Sequence, residues 1–157
     1  MNDTRPTHAH SKRVDIYTDG SCLNNPGTGG YCAILKYPNT KCKVVLGAES
    51  DTTNNRMELK AVIEGLKGLP EGNYRVTVIS DSMITVRGIN EWLPNWIRQR
   101  FSKTKNVDLW KEFIEVSKPH LVTAMWVKAH NGHPENELCD QLAREQAEKL
   151  EGRLCRS

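Results

Sequence analysis

The order of strand-like and helical segments most restricts what this chain can fold into. Three segments with the alternating pattern of strands come first, and a helix, a strand, further helices, a strand and a final helix follow. Strand–helix–strand crossovers join parallel strands, whereas short turns join antiparallel ones. The sequence therefore predicts an α/β fold with a five-stranded mixed sheet, three strands antiparallel and the others parallel, flanked by helices.

The boundaries of these segments follow from turn, cap and helix-breaking residues. Gly88 and Pro94 favour two short helices over one long helix, and Asn106 is predicted to cap the helix after them. The predicted strands span residues 14–19, 31–37, 43–48, 75–79 and 121–127. The first predicted helix runs from the caps at 52–54 to residue 67, and two short helices follow up to residue 96. The last two helices are predicted over 105–116 and over 136–150, the latter with Leu138, Leu142, Ala143 and Leu150 inward.

The first strand leads into an acidic residue and then into a glycine-rich run, VDIYTDGSCLNNPGTGG. Alternation predicts that one face of the strand is buried and that the other, which carries Asp19, is presented to solvent or ligand. The glycines after Asp19 are predicted to supply turn conformations that other residues reach only with strain. An ordinary hairpin is the alternative interpretation of this stretch.

Length and composition restrict the class of protein. A chain of 157 residues predicts one domain, over residues 14–150, between a loose polar tail at 1–13 and a short C-terminal tail at 151–157. No apolar run is long enough to cross a bilayer, so we expect no membrane association. The five cysteines are an odd set without a CxxC pair, which argues against a disulfide framework or zinc and favours the cytoplasm. We expect a monomer.

Four acidic residues recur at predicted strand ends and helix starts: Asp19, Glu58, Asp81 and Asp140. Carboxylates that converge at the strand ends of an open sheet repel one another unless a cation neutralises them. Oxygen ligands favour Mg²⁺ or Mn²⁺, and two such ions about 3.5–4 Å apart support phosphodiester hydrolysis. The pattern indicates a nuclease, although each carboxylate taken alone is equally consistent with a solvated surface charge or a helix cap.

Five ordered motifs carry a resemblance to a known family. They are TDGSCLNNPGTGGY, TTNNRMEL, SDS followed by RGINEWLPNW, KNVDLW, and WVKAHNGHPENELCDQLA. Together they resemble ribonuclease H type 1 of the bacterial kind, over Val14 to Leu150. The resemblance implies the ribonuclease H-like fold and endonucleolytic, two-metal-ion hydrolysis of the RNA strand of an RNA/DNA hybrid, which leaves 3′-hydroxyl and 5′-phosphate ends.

The resemblance also implies roles for individual residues. The four carboxylates would be the catalytic metal ligands, with two Mg²⁺ ions, or Mn²⁺, in the catalytic complex. His130, the first histidine of AHNGH, would assist water activation or product release. Thr53 and Asn106 match positions that hold a DNA phosphate, and positions lining the hybrid's minor groove match Cys22, Asn25, Asn54 and Asn55.

Aromatic and basic residues alternate between Trp92 and Lys105, as on a surface that grips a phosphate backbone. The residues concerned are Trp92, Trp96, Arg98, Arg100, Lys103 and Lys105, and we call residues 98–105 the basic segment. A solvated face over a partly buried tryptophan pair is the alternative. In the family this stretch resembles a basic protrusion.

The chain departs from the family pattern at three places. The basic protrusion is shortened, Met83 stands where glutamine is common, and the loop reads AHNGH instead of GHAGH. Two other functions stay open: a non-catalytic hybrid-binding module, and another ribonuclease H-like nuclease such as a reverse-transcriptase-derived domain. Retention of all four carboxylates argues against a binding module, because clustered negative charge hinders phosphate binding.

Overall fold

A computed structural model describes residues 12–156. The strands are β1 (Lys12–Cys22), β2 (Gly27–Lys36), β3 (Cys42–Thr52), β4 (Tyr74–Ser80) and β5 (Leu121–Trp126). The helices are α1 (Asn54–Lys67), α2 (Met83–Arg87), a π-helical turn (Gly88–Trp92), α3 (Leu93–Arg98), α4 (Val107–Ser117) and α5 (Pro134–Arg156). None of these helices is long and apolar enough to span a membrane.

The five strands form one sheet in the order β3-β2-β1-β4-β5. The pairs β1–β2 and β2–β3 are antiparallel, whereas β1–β4 and β4–β5 are parallel. The two parallel pairs are those that helical crossovers connect, as the segment order requires. The predicted α/β class and mixed five-stranded sheet are therefore confirmed.

Helices cover both faces of the sheet. On one face α1 and α4 bury the main core, to which Ile16, Val78, Leu59 and Phe113 belong. On the other face a smaller cluster forms between β2 and α5, built from Cys32, Ile34, Cys139 and Ala143. This second layer explains why Asp19 is only 3% exposed, although its face of β1 was predicted to be presented.

The inward face of α5 is made of small residues. Cys139, Ala143 and Ala147, spaced four apart, are fully buried, whereas Leu138 is 44% exposed. A Cβ built on Gly30 of β2 would lie 2.2 Å from the carbonyl oxygen of Ala143. The helix lies so close to the sheet that only small side chains fit, and the prediction that Leu138 packs inward is wrong for this reason.

The glycines of the glycine-rich run make room for neighbouring atoms and do not supply turn conformations. Gly27, Gly29 and Gly30 all lie within β2, and the turn before them is made by residues 23–26. Within residues 12–156, positive φ angles among glycines occur only at Gly72 and Gly132. The glycines of β2 instead admit neighbouring backbone and side-chain atoms. The turn interpretation is wrong at these positions.

The helical region from 83 to 98 is continuous, in contrast to the predicted pair of separate helices. Gly88 does not end a helix but begins the π-helical turn. A Cβ added to Gly88 would lie 2.5 Å from the ring of Trp110, so the missing side chain leaves room for that ring. Pro94 lies in the first turn of α3, directly after the π-helical turn.

Most predicted boundaries shift by a few residues, and two of them reach into the predicted tails. Strand β1 begins at Lys12, and α5 continues through residues 151–156, which the sequence predicted to be a tail. The division of the chain into one domain and two tails otherwise stays a prediction, and most of the N-terminal tail, residues 1–11, lies outside the described residues.

Candidate active site

Three carboxylates meet where β1 and β4 end. Asp19 comes from β1, Asp81 follows β4, and Glu58 comes from the second turn of α1. One carboxylate oxygen from each lies within 4.8 Å of the others. The parallel pairing of β1 with β4 brings the two aspartates to one edge of the sheet. Gly20 brings the glutamate, because a Cβ there would lie 2.3 Å from the Glu58 nitrogen.

Asp140 and His130 lie beside this cluster but outside it. Asp140, in the second turn of α5, is half-buried and pairs with Arg144 at 2.9 Å. Its charge nevertheless reaches the cluster, since it raises the pKa of both Asp19 and Asp81. His130 is exposed on the loop before α5, with a φ of 55°, and is near enough to offset a small part of the rise that burial causes in the pKa of Asp81.

Burial and crowding raise the pKa of all three carboxyl groups. Burial raises the pKa of Asp19 to about 7, and repulsion by Asp81 and Asp140 adds to the effect. Burial, followed by the charges of Asp19 and Asp81, raises the pKa of Glu58 well above its usual range. The pKa of Asp81 is raised by burial and by Asp140. In the absence of a cation, protons therefore take the place of positive charge at this site.

The donor set fits a hard divalent cation. Oδ1 of Asp19 accepts a hydrogen bond from the Gly20 amide at 2.9 Å. Oδ2 of Asp19 and Oε1 of Glu58, by contrast, are buried without a hydrogen-bond partner in the described part of the chain. A buried carboxylate oxygen without a donor is costly unless a cation binds it. Sites built only from oxygen ligands bind Mg²⁺, Mn²⁺ or Ca²⁺ in preference to softer metals.

These pKa shifts predict that metal-free protein loses stability as the pH rises. The folded state holds the Asp19 proton up to about pH 7, whereas the ordinary pKa is 3.8. Unfolding therefore releases this proton between those values, so its stabilising contribution is complete below about pH 4 and is lost as the pH rises through 7. We expect a loss on the order of 4 kcal/mol between pH 4 and pH 8.

Urea denaturation in EDTA across this pH range measures the effect. The free energy of unfolding of Asp19→Asn serves as the reference, because the variant lacks this proton and also loses the contribution of Asp19 to the pKa of Glu58. A difference between the two proteins that does not vary with pH would contradict the argument.

The residues matched to a DNA phosphate site lie around one arginine. Arg56 forms a bidentate ion pair with Asp108, at 3.0 and 2.7 Å, and its Nη1 also donates to Oδ1 of Asn106 at 3.3 Å. Asn106 precedes α4 in a left-handed conformation and makes no side-chain cap bond, so the predicted capping role is wrong. Thr53 caps α1 by accepting from the Arg56 amide at 3.2 Å.

Arg56 was not among the residues that the sequence predicted for the site. Its partner Asp108 lies 52 positions further along the chain, so no local spacing connects them. The one available signal was its place in RMEL, two residues before Glu58.

The residues matched to the minor groove lie around the start of α1. Asn25 accepts from the Asn54 amide at 3.0 Å, which joins the β1–β2 turn to the helix. The Cys22 thiol donates to the Thr52 carbonyl at 3.3 Å and is half-buried, and Asn55 is exposed. The structure therefore brings these residues to one surface, but their contact with nucleic acid stays a prediction.

Trp92 and Trp96, which precede the basic segment, belong partly to the core. Trp92 stacks at a tilt on Trp96, which in turn meets buried Trp110 edge-on with 5.1 Å between ring centroids. Arg98, Arg100, Lys103 and Lys105 are exposed, and among residues 12–156 none of them pairs with a carboxylate. The row of tryptophans therefore packs toward the core, and four exposed positive charges follow it in the chain.

A mixed sheet with three crowded carboxylates, two from the sheet edge and one from α1, is the arrangement of a metal-dependent nuclease of the ribonuclease H-like class. Residues 11–148 match the model of the RNase H family. The chain is 57% identical over 139 residues to ribonuclease HI of Campylobacter jejuni subsp. jejuni, covering 88% of this chain and 94% of that protein. Against ribonuclease HI of Helicobacter pylori it is 55% identical over 138 residues, with 88% and 95% covered.

Solved structures agree with these sequence relatives. The crystal structure of LC9-RNase H1, a type 1 RNase H with the type 2 active-site motif, superposes with a TM-score of 0.80. That protein is 31% identical, and the match covers 88% of this chain and 73% of the other. This chain belongs to the ribonuclease H family, and the resemblance read from the five motifs is confirmed.

Proposed function

We propose that Asp19, Glu58, Asp81 and Asp140 carry out the reaction of this ribonuclease H, with two Mg²⁺ ions in the catalytic complex. As a member of its family, the chain is an endoribonuclease that hydrolyses the RNA strand of RNA/DNA hybrids. The observation that carries the residue assignment is the cluster of three carboxylate oxygens within 4.8 Å. Two of these side chains also have a buried oxygen without a partner among residues 12–156.

Divalent cations at such a site supply charge that activates a water molecule and stabilises the leaving oxygen. The chain's own contribution is to hold the carboxylates in place before any cation arrives. Asp19 is fixed by the Gly20 amide, and Glu58 by the close contact of α1 with β1. We assign Asp19 the central position, because it is the most buried of the aspartates and faces both Glu58 and Asp81.

Asp140 and His130 act at the edge of the cluster in this proposal. Asp140 completes the ligand set when it releases Arg144, an exposed partner that costs little to replace. His130 assists water activation or product release, since an imidazole can take and give protons near neutral pH. Cleavage by this arrangement leaves a 3′-hydroxyl on one product and a 5′-phosphate on the other.

We further propose that the hybrid lies across α1 and the basic segment. Thr53 and Asn106, the latter oriented by Arg56, hold a phosphate of the DNA strand. Cys22, Asn25, Asn54 and Asn55 face the minor groove, where amide groups can both donate to and accept from base edges and the 2′-hydroxyl. Trp92 and Trp96 support the cations of the basic segment.

Replacing three of these cations tests the surface. In the triple variant Arg98→Ala, Arg100→Ala, Lys103→Ala we expect KM for the hybrid to rise and the slope of log binding constant against log salt to fall by about 2 to 3. The charge-matched control replaces Lys149, Arg153 and Arg156, exposed cations near the end of α5. Equal slopes in both triple variants would show that the basic segment does not contact the backbone.

Substrate and metal preference together test the proposed function. Labelled RNA/DNA hybrid, RNA duplex, DNA duplex and single strands are incubated with Mg²⁺, with Mn²⁺ or with EDTA. We expect cutting of RNA in the hybrid alone, with 5′-phosphate ends, and none in EDTA. Cleavage that persists in EDTA, or equal cutting of DNA duplex, would refute the assignment. Binding of hybrid without cleavage in any metal would favour the non-catalytic binding module.

The proposal also covers the cellular compartment and the oligomeric state of the enzyme. All five cysteines are free thiols, and Cys42 and Cys155 are exposed, as suits a reducing cytoplasm. We propose that it works there as a monomer. Sedimentation of the purified protein under reducing conditions, at concentrations above those of the assay, measures the oligomeric state.

A further inference from the structure

Trp126, the last residue of β5, makes a polar contact with the backbone of the active site. Its register partner on β4 is Ser80, the residue before Asp81. From that position its indole Nε1 donates a hydrogen bond to the main-chain carbonyl of Asp81 at 3.2 Å. The side chain is 44% exposed, so burial of its rings alone does not account for a tryptophan here.

The backbone on both sides of Asp81 is held by short hydrogen bonds. The Val127 amide donates to the Ser80 carbonyl at 2.9 Å, and the Ser82 amide donates to Oγ of Ser80 at 3.0 Å. Ser82 also caps α2 by accepting from the Thr85 amide. Asp81 itself lies in the bend between β4 and α2, outside both elements. The indole therefore holds the carbonyl end of the peptide that leaves Asp81, while Ser80 holds its amide end.

Asp81 is a position that needs such support. One of its carboxylate oxygens lies within 4.8 Å of those of Asp19 and Glu58, so its position in the cluster must be held closely for all three to bind one cation. A ligand on a bend moves more easily than one within a strand or helix. Groups behind metal ligands that restrict this movement strengthen metal binding.

The strand that carries Trp126 is itself fixed from its free edge. Asn90, in the π-helical turn, donates from Nδ2 to the Ala124 carbonyl at 2.7 Å and accepts from the Ala124 amide at 2.9 Å. This pair of bonds imitates a neighbouring strand at an edge that has none. The connection thus runs from Asn90 through β5 to Trp126 and on to the peptide of Asp81.

We propose that Trp126 is a positioning residue for metal binding, which holds Asp81 in the ligand cluster, and that Asn90 supports it by fixing β5. This inference rests on the proposed role of Asp81 as a metal ligand. Neither residue touches the reacting groups, so their effect passes through the geometry of Asp81. Loss of the indole N–H leaves the Asp81 carbonyl to water and frees the bend.

Metal binding to the nucleic-acid-free protein tests the inference by calorimetry with Mn²⁺ and Mg²⁺. We expect Trp126→Phe, which keeps an aromatic ring but lacks the donor, to weaken metal binding by about tenfold. At subsaturating metal kcat should fall, while KM for the hybrid stays within about twofold and Tm changes little. Leu121→Ala, at an equally exposed position on the same strand, should bind metal as the unaltered protein does.

Other results would overturn the inference in distinguishable ways. Unchanged metal binding in Trp126→Phe rejects it, and a raised KM with unchanged metal binding identifies Trp126 as a substrate contact instead. Asn90→Ala should weaken metal binding in the same direction by a smaller factor, and this variant decides the matter if Trp126→Phe does not fold. Metal binding unaffected by Asp81→Asn would instead refute the proposed function itself.

Discussion

Asp19→Asn is expected to abolish cleavage of RNA/DNA hybrid, with kcat lowered by at least about 10³-fold. Asparagine has nearly the same shape, but it brings one oxygen instead of two and carries no charge. The oxygen Oδ2, which has no partner among the described residues, is the atom that is lost. Single-turnover cleavage at saturating Mg²⁺ measures the rate, and fluorescence anisotropy measures hybrid binding.

Hybrid binding by Asp19→Asn should remain measurable, because the substitution removes negative charge from a place where phosphates must lie. His130→Ala provides the comparison, since it removes a side chain on an exposed loop beside the cluster. We expect that variant only to slow cleavage, by about 10²-fold. An Asp19→Asn enzyme that still cleaves hybrid would contradict the metal-ligand assignment directly.

Gly20→Ala is expected to damage stability and metal binding together. The new Cβ would lie 2.3 Å from the Glu58 nitrogen and 2.3 Å from the Met57 carbonyl carbon. Both are backbone atoms of α1, so the helix must move away from β1 and carry Glu58 away from Asp19. We expect Tm to fall by roughly 5–10 °C and metal binding to weaken by more than about tenfold.

The control for this substitution is Gly152→Ala. Gly152 lies in α5 with nothing within 4 Å of a built Cβ, and alanine is the better helix former. Calorimetric melting with and without Mn²⁺ compares the two variants. If Gly20→Ala melted and bound metal as Gly152→Ala does, the close contact between α1 and β1 would not be what positions Glu58.

Much of the fold could be predicted because chain order and local pattern agree. Crossover connections fixed which strands are parallel, and the observed order β3-β2-β1-β4-β5 follows from them. The failures share one cause, which is close packing between elements distant in sequence. The glycines of β2, the continuous helix at Gly88 and the exposed Leu138 all depend on partners that no local pattern reveals.

The same contrast between local pattern and distant partners applies to the residues of the candidate site. Asp19, Glu58 and Asp81 were predicted from strand ends and motifs, and the structure brings them together. Arg56 and Trp126 were not predicted, because each acts through a bond to a residue 45 or more positions away. Both residues lie within the motifs TTNNRMEL and WVKAHNGHPENELCDQLA, but a motif does not reveal the distant partner that each of them binds.

The close approach of α5 to the sheet has a consequence for engineering. Because Gly30 and the small face at 139, 143 and 147 set how near this helix lies, they also set how near Asp140 comes to the other carboxylates. A combinatorial library for higher activity or thermal tolerance should therefore leave these four positions unchanged. The randomised positions should lie on the outward side of the helix, at exposed residues such as Leu138, Gln141 and Glu148. Substitutions there alter the surface without displacing a ligand.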